Sequence, residues 1–339
     1  MAGDPDGGFV AAVARTTGIH PRSARLVALG LLEVAADGSP GRTWHAVLRI
    51  DADPGPEHLH WLDAAELARG RRFGKVLDEV SDILDGRTLV VHDAPLTWGF
   101  IVEEARRARQ GANRANRSRN RRGGRPRPRA RVGRTPAPAR IVDTLATARR
   151  TGARLADPRL LGVARAHGVP APSPVASVDN IGLAERDRTL AELEALRRLH
   201  LAQVAADPAT VMSWTPGELR ADPAGLQRSR VRVDAMEAPR PTPNPGRYAH
   251  GGALAPGMEF TVADEVELPA DEIIAAGVAA GLAYSEKITR ACSVLVFNQP
   301  ADLPPAEFTG KAMHAHRKGV PLVADAAFLR LAADLAARS

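Results

Sequence analysis

The densest group of chemically active side chains in this sequence is a run of arginines. Between Arg106 and Arg140 there are 14 arginines and no aspartate or glutamate. Guanidinium groups without neighbouring acids attract phosphates, and each phosphate that they neutralise releases counterions, so this binding weakens steeply as salt rises. The run therefore predicts contact with a nucleic acid backbone. The residues predicted to make that contact are Arg114, Arg117, Arg119, Arg121, Arg122, Arg125, Arg127, Arg129, Arg131 and Arg134.

The net positive charge of the chain comes from this run. The whole sequence has 46 Lys+Arg and 39 Asp+Glu, a net charge of +7. Without the 14 arginines, 32 basic residues face 39 acidic ones, so the remaining sequence has a net charge of −7. A neutral origin of the run stays open, because GC-rich coding favours Ala, Arg, Gly and Pro, and the chain is rich in all four.

The sequence also argues against cysteine-based structural sites and against a membrane span. The single cysteine, Cys292, cannot form an intramolecular disulfide or supply a cysteine-based zinc site. There is no run of about 18 apolar residues for a membrane span, and the first residues lack the basic and apolar regions of a signal peptide. We therefore expect a cytoplasmic protein without a membrane partner.

The elements that position these residues follow from apolar periodicity. Apolar runs predict strands over residues 9–14, 25–34, 44–50 and 88–92. Apolar residues at helical spacing predict helices over residues 63–84, 98–108, 160–167 and 183–204. Strands followed by alternating helices and strands predict an α/β fold, a mixed sheet with flanking helices.

Changes of composition divide the chain into domains. Residues 1–205 form the first predicted domain, and within it residues 109–139 have almost no apolar side chain larger than alanine, which predicts a disordered insertion. Residues 206–253 are rich in proline and predict an extended linker. Residues 254–339 predict a small α/β domain with the order β-α-β-β-α-β-α.

Five blocks of the first domain, taken in order, resemble the DEDDh 3′–5′ exonucleases. The blocks are residues 9–18, 86–94, 142–145, 161–169 and 180–185. The resemblance implies a ribonuclease H-like fold. It also implies a site in which four carboxylates hold two divalent cations that activate water, with a histidine as general base.

Most of the catalytic positions implied by this resemblance carry other residues here. The first strand has Val13 and Arg15 in place of two carboxylates, Thr97 replaces a third, and the general base is replaced by Asn180. Only Glu185 is acidic. Because one carboxylate does not hold two Mg²⁺ ions and Arg15 adds a fixed positive charge, we predict lost catalysis, no metal and no cofactor.

Two alternatives remain for these carboxylates. A rearranged metal site could use Asp93, Asp143, Asp179 or Glu185, and the protein would then be an active exonuclease with Mg²⁺ or Mn²⁺. Adjacent strand residues face opposite sides, so a shift of one position points a side chain away from the site. Glu185 could equally be an exposed helix carboxylate near Arg188.

The second domain resembles a BRCT domain. The blocks that carry this resemblance are residues 257–258, 280–281, 285–298, 309–312, 319–323 and 327–330. Phosphate-binding members of that family use a lysine that matches Lys311, but their hydroxyl and glycine positions are Ala263 and Asp264 here. Lys311 is the one predicted phosphate-binding residue, and a solvated helix lysine is the alternative. The resemblance implies a protein partner.

Together these features predict a catalytically inactive exonuclease-like protein. Its partners would be a nucleic acid, through the arginine run, and a DNA replication or repair protein, through the BRCT-like domain. A pure protein-interaction scaffold, in which the arginine run is incidental, is the remaining alternative.

Overall fold

The computed structural model describes residues 7–121, 133–151, 155–174, 182–300 and 303–338. The chain divides into two compact units. Unit 1 comprises Met1–Thr147 and Leu155–Gln227, and unit 2 comprises Ala148–Arg154 and Arg228–Ser339. Among the described residues, none of the helices is both long and apolar enough to cross a membrane.

Unit 1 is built on a six-stranded mixed sheet with the order β3-β2-β1-β4-β5-β6. Strands β1, β4 and β5 are parallel, whereas β2, β3 and β6 each pair antiparallel with their neighbour. The predicted mixed sheet with flanking helices is therefore confirmed. Its strands are β1 (Phe9–Thr16), β2 (Leu26–Val34), β3 (Pro40–Val47), β4 (Thr88–Val91), β5 (Arg140–Asp143) and β6 (Ser213–Trp214). A separate two-stranded sheet pairs β7 (Leu219–Ala221) with β8 (Gln227–Ser229).

Helices cover both faces of this sheet. They are α1 (Ala64–Arg69), α2 (Phe73–Leu84), α3 (Ala94–Arg121), α4 (Thr144–Arg150), α5 (Leu160–Ala166) and α6 (Glu185–Ala206). On one face, α2 and α3 bury residues such as Leu77 and Phe100 against the strands. On the other face, α6 packs on β1 and β2. Gly30 permits this close approach, because a Cβ there would lie 2.4 Å from Thr189 Cγ2.

Two elements of unit 1, the helix predicted over residues 63–84 and strand β3, differ from the sequence predictions. The helix predicted over residues 63–84 is two helices, because Arg71 N–H donates to Val47 O at 3.0 Å and its carbonyl accepts from Arg49, which ties the chain to the end of β3. Strand β3 covers residues 40–47 rather than 44–50.

The expected disorder of residues 109–139 is wrong for residues 109–121, where α3 continues. Alanine, arginine and glutamine are good helix formers, and extending an existing helix requires no new nucleus. Residues 133–139 are tied to unit 1, since Ala139 N–H donates to Arg87 O at 2.9 Å and Gly86 N–H donates to Ala137 O at 3.0 Å. Residues 122–132 lie outside the described residues.

The expected linker over residues 206–253 is also wrong for much of its length. Strand β6 completes the large sheet, where Trp214 pairs with Ile141. Helix α7 (Arg230–Glu237) buries Val233 and Ala235, and its Ala235 joins the core of unit 2. Strand β6 forms because the edge of β5 offers it a pairing partner, and α7 forms because its apolar side chains are buried. The prolines concentrate over residues 239–245, outside both elements.

Unit 2 contains a parallel four-stranded sheet with the order β10-β9-β11-β12. Its strands and helices follow one another as β-α-β-β-α-β-α, as the sequence predicts. They are β9 (Glu259–Val262), α8 (Ala270–Ala279), β10 (Ala283–Tyr284), β11 (Cys292–Val296), α9 (Gly310–Lys318), β12 (Leu322–Val323) and α10 (Asp325–Ala336). Its core includes Phe260, Ile273, Val294 and Phe328, and Cys292 is a buried thiol.

Candidate functional site

The acidic position of the exonuclease resemblance, Glu185, lies at the first turn of α6 against the sheet. Its side chain is 2% exposed, so the alternative of an exposed helix carboxylate is wrong. Oε1 lies 3.5 Å from Arg15 Nε and accepts a hydrogen bond from Thr189 Oγ1 at 2.5 Å. Oε2 lies 2.8 Å from His45 Nε2.

Arg15 projects from β1 toward α6 and pairs with two carboxylates of that helix. Its Nη1 donates to Glu192 Oε2 at 3.0 Å, and its Nη2 lies 3.0 Å from Glu192 Oε1. Glu192 follows Glu185 by seven residues, which places the two carboxylates on one face of the helix, two turns apart. We call Arg15, His45, Glu185 and Glu192 the unit 1 ion cluster.

Sequence reasoning missed three members of this arrangement. Glu192 and Thr189 share a helix face with Glu185, so the spacing of α6 was an available signal. The sequence offered no signal for His45, because its position beside Glu185 depends on strand pairing. In the sheet, Gly30 of β2 pairs with Val13 on one side and with His45 on the other, which brings β3 beside the site.

The cluster favours the ionised form of Glu185. Burial raises the pKa of this carboxyl, but the hydrogen bonds from His45 and Thr189 and the charge of Arg15 outweigh burial and lower it. Because the carboxylate is ionised, the His45 Nε2–H acts as the donor. Both glutamates are thus bound by side chains of the chain itself.

The residues at this site do not fit the two divalent cations that the exonuclease resemblance implies. Val13 is buried and offers no oxygen, and the Thr97 hydroxyl donates to His92 O at 3.3 Å. The Arg15 guanidinium lies against Glu185, so its charge would repel a divalent cation at this carboxylate. Throughout the described part of the chain, no group of three His, Cys, Asp or Glu side chains is placed to hold a metal ion. Asn180 lies outside the described residues.

The carboxylates proposed for a rearranged metal site have other partners. Asp143 Oδ1 accepts hydrogen bonds from the N–H groups of Asp93 at 3.1 Å, Leu145 at 2.9 Å and Ala146 at 3.2 Å. Its Oδ2 accepts from Ala94 at 2.8 Å. Asp143 therefore satisfies the open N–H groups at the starts of α3 and α4. Asp93 adopts a φ of 62°, and its Oδ1 accepts from Leu96. Asp179 lies outside the described residues.

The predicted nucleic-acid contacts begin on the second half of α3. From Ala108 to Arg117 this helix has no buried residue, and Arg109, Arg114 and Arg117 are exposed. These three arginines form no ion pair with any described residue. Arg114 and Arg117 are three residues apart and therefore neighbours on the helix surface.

The other predicted arginines are distributed differently. Arg119 and Arg121 belong to α3 by their backbone. Arg134 forms an ion pair with Asp85. The remaining ones lie outside the described residues, namely Arg122, Arg125, Arg127, Arg129 and Arg131.

Lys311, the predicted phosphate-binding residue of unit 2, is bound within the protein. Its Nζ donates to Val262 O at 2.8 Å and to Glu286 Oε1 at 3.0 Å. The alternative of a solvated helix lysine is wrong, since its side chain is 20% exposed. Burial and the nearby charge of Arg232 lower its pKa, although Glu286 raises it.

Glu286 gathers further cations around the same point. Arg228 Nη1 lies 3.3 Å from its Oε1, and Arg232 Nε lies 3.7 Å from its Oε2. Tyr284 donates its hydroxyl to Oε2 at 2.5 Å. We call Glu286, Lys311, Arg228 and Arg232 the unit 2 ion cluster. An incoming phosphate would meet a carboxylate that is already bound to Lys311.

No family model matches this sequence, and no curated protein matches it. Among solved structures, the chain is similar to exonuclease I, with a TM-score of 0.42 and 12% identity over 60% of this chain and 42% of that one. It is also similar to the zinc-bound form of E. coli exonuclease I in complex with single-stranded DNA, with a TM-score of 0.41 and 11% identity over 60% and 42% of the two chains. E. coli exonuclease I in complex with a dT13 oligonucleotide gives a TM-score of 0.39 and 11% identity over 59% and 41%. The chain thus spans less than half the length of each of these structures.

Proposed function

We propose that this is a non-catalytic, exonuclease-like protein that binds nucleic acid through unit 1. The observation that carries the proposal is the unit 1 ion cluster. Arg15 and His45 bind Glu185 in the position where the resembled exonucleases use carboxylates to hold divalent cations. Without metal ions, no water is activated as a nucleophile and no positive charge stabilises the leaving oxygen. The site then lacks the groups that phosphodiester hydrolysis uses in this family.

The second half of α3 supplies the binding part of the proposal. This half of the helix has exposed arginines and no acidic residue, so it attracts a phosphate backbone without reading bases. Unit 2, by its BRCT-like resemblance, would contact a protein partner in DNA replication or repair. A buried single cysteine fits a reducing, cytoplasmic setting.

The catalytic half is tested by metal titration and by an exonuclease assay. Isothermal titration with Mn²⁺ should show no binding at millimolar metal, and single-stranded DNA labelled at its 3′ end should stay intact. Metal-dependent release of 3′ nucleotides that is lost in Glu185→Ala would support the active exonuclease instead and contradict the proposal.

The binding half is tested by the salt dependence of affinity for a labelled oligonucleotide. Removing two phosphate contacts in R114A/R117A should lower the slope of log affinity against log salt by about 1.4 for a single strand, because each contact contributes about 0.7. The control R290A/R317A removes two exposed arginines of unit 2 and should leave the slope unchanged. Equal slopes for the wild type and R114A/R117A would favour a pure protein-interaction scaffold.

A further inference from the structure

An arginine lies on a tryptophan ring beside the unit 1 ion cluster. Arg188, in the first turn of α6, places its Cζ 4.0 Å from the centroid of the Trp61 ring. Its Nε donates to Leu183 O at 3.1 Å, which fixes the guanidinium at the start of the helix. Arg188 is also close enough to Arg15 for the two charges to repel, which adds to burial in lowering the pKa of Arg188. The stacked pair therefore borders the site that resembles a nuclease centre.

Trp61 lies at the surface in an unfavourable backbone conformation. Its two neighbours, His60 and Leu62, are buried at 1% and 2% exposure and anchor the chain on either side. Trp61 between them has a φ of 62°, a conformation that bulky residues rarely adopt. Its ring is only half-buried. Strained residues persist where the surrounding structure holds them, and they concentrate at binding and catalytic sites.

Exposed apolar side chains lie next to this pair in the chain. Leu59 is 47% exposed two residues before Trp61, and Leu183, whose carbonyl binds Arg188, is 45% exposed. Large apolar side chains of soluble proteins are mostly buried, so two exposed ones near a half-buried ring and a guanidinium mark a surface for a partly apolar ligand. A nucleobase is such a ligand, since it stacks on aromatic rings and on guanidinium planes while its phosphates seek positive charge.

We propose that Trp61 and Arg188 form a stacking platform for an unpaired nucleobase, so that the protein binds single strands in preference to duplex. The base lies on the guanidinium plane of Arg188, which rests on the Trp61 ring. Bases of a duplex are stacked on one another and cannot use the platform without being extruded. This inference rests on the proposed nucleic-acid binding and adds a base-contacting site, distinct from the backbone-contacting arginines of α3.

The test measures affinity by fluorescence anisotropy, with a labelled single strand of about 12 nucleotides and a duplex of equal length. W61A should weaken single-strand binding by about 5- to 100-fold, the range expected for loss of one stacked base, and should leave the salt slope unchanged. W61F keeps an aromatic ring and should retain most of the affinity. Duplex binding should be equal in all three proteins. V204A, at an exposed position near the other end of α6, is the matched control and should bind as the wild type does.

Two outcomes would contradict the stacking platform, and only the second would also contradict the proposed function. Single-strand affinity equal in W61A and the wild type, with normal salt dependence, overturns the platform alone. A wild type that binds neither probe overturns the proposed function with it. If W61A unfolds, W61F and R188M decide. Each leaves an apolar side chain in place, and R188M should lose single-strand affinity whereas W61F should keep most of it.

Discussion

Both units carry a buried ion cluster at a residue that a sequence resemblance singled out as a candidate ligand-binding position, and these two residues have opposite charges. In unit 1 the residue is the acidic Glu185, which pairs with the cation Arg15. In unit 2 it is the basic Lys311, which pairs with the anion Glu286. The comparison teaches that a buried charge of either sign can be held by a counter-charge from the chain itself.

The clusters differ in how the charges are shared. Arg15 of unit 1 contacts both Glu185 and Glu192, so it keeps one carboxylate if the other is removed. Glu286 of unit 2 contacts three cations at once. Removing a carboxylate should therefore cost more in unit 2 than in unit 1.

The largest effect is expected from Glu286→Ala. It leaves Lys311, Arg228 and Arg232 close together and mostly buried without this carboxylate. Breaking a buried pair by removing one partner costs about 3–5 kcal/mol in free energy of unfolding. Urea unfolding followed by circular dichroism measures it. The control E286Q keeps hydrogen-bond acceptors and should recover part of the loss, and a stability of E286A equal to the wild type would show that the cluster does not stabilise unit 2.

The same residue predicts a dependence of stability on pH. Burial raises the pKa of Glu286, but Arg232, Lys311 and Arg228 outweigh burial and lower it from 4.5 to about 2. A lowered pKa stabilises the folded state above the unfolded pKa, so this contribution is complete above about pH 4.5 and is lost as pH falls toward 2. A pKa shift of this size corresponds to about 3 kcal/mol in the free energy of unfolding. E286Q should lack this acid-dependent loss.

A smaller effect is expected from Glu185→Gln in unit 1. The variant loses the charged hydrogen bond to His45, whereas Arg15 keeps Glu192, so the expected cost is about 1–3 kcal/mol. The pKa of Glu185 is lowered from 4.5, so its contribution is complete above about pH 4.5 and falls as pH drops through the folded pKa. Thermal unfolding at pH 7 and pH 3 measures both, with E192Q as the matched control on the same helix. A loss in E185Q larger than in E286Q would reverse the comparison of the two clusters.

Apolar periodicity predicted the elements that hold these clusters, but not the clusters. Strands β1, β2 and β4 and helix α6 lie close to their predicted positions, because their buried faces repeat at strand or helix spacing. Arg15 and Glu185 were predicted as positions of a lost site. Their ion pair was not, and neither was the partner His45, since both depend on how α6 and β3 meet β1 in three dimensions.

The errors of the sequence predictions have related physical causes. Residues 109–121 lack large apolar side chains, yet they continue a helix that its first half anchors in the core. Residues 213–214 are too short to show a period, yet they pair with an open strand edge. In both cases an element formed elsewhere supplies the stabilisation that the local sequence lacks. Lys311 follows the same logic, because its counter-charge comes from a residue 25 positions away.

The smallest effect is expected from Arg72→Ala, which tests whether burial separates the clusters from ordinary ion pairs. Arg72 pairs with Asp51 at 2.8 Å, as close as His45 and Glu185, but the two side chains are 57% and 65% exposed. Water screens such a pair and holding it costs side-chain entropy, so the expected change in free energy of unfolding is below about 0.5 kcal/mol. Urea unfolding of R72A beside E185Q makes the comparison within one unit. A cost for R72A as large as that for E185Q would mean that distance alone sets the strength of these pairs, and the argument from buried charge in both units would fail together.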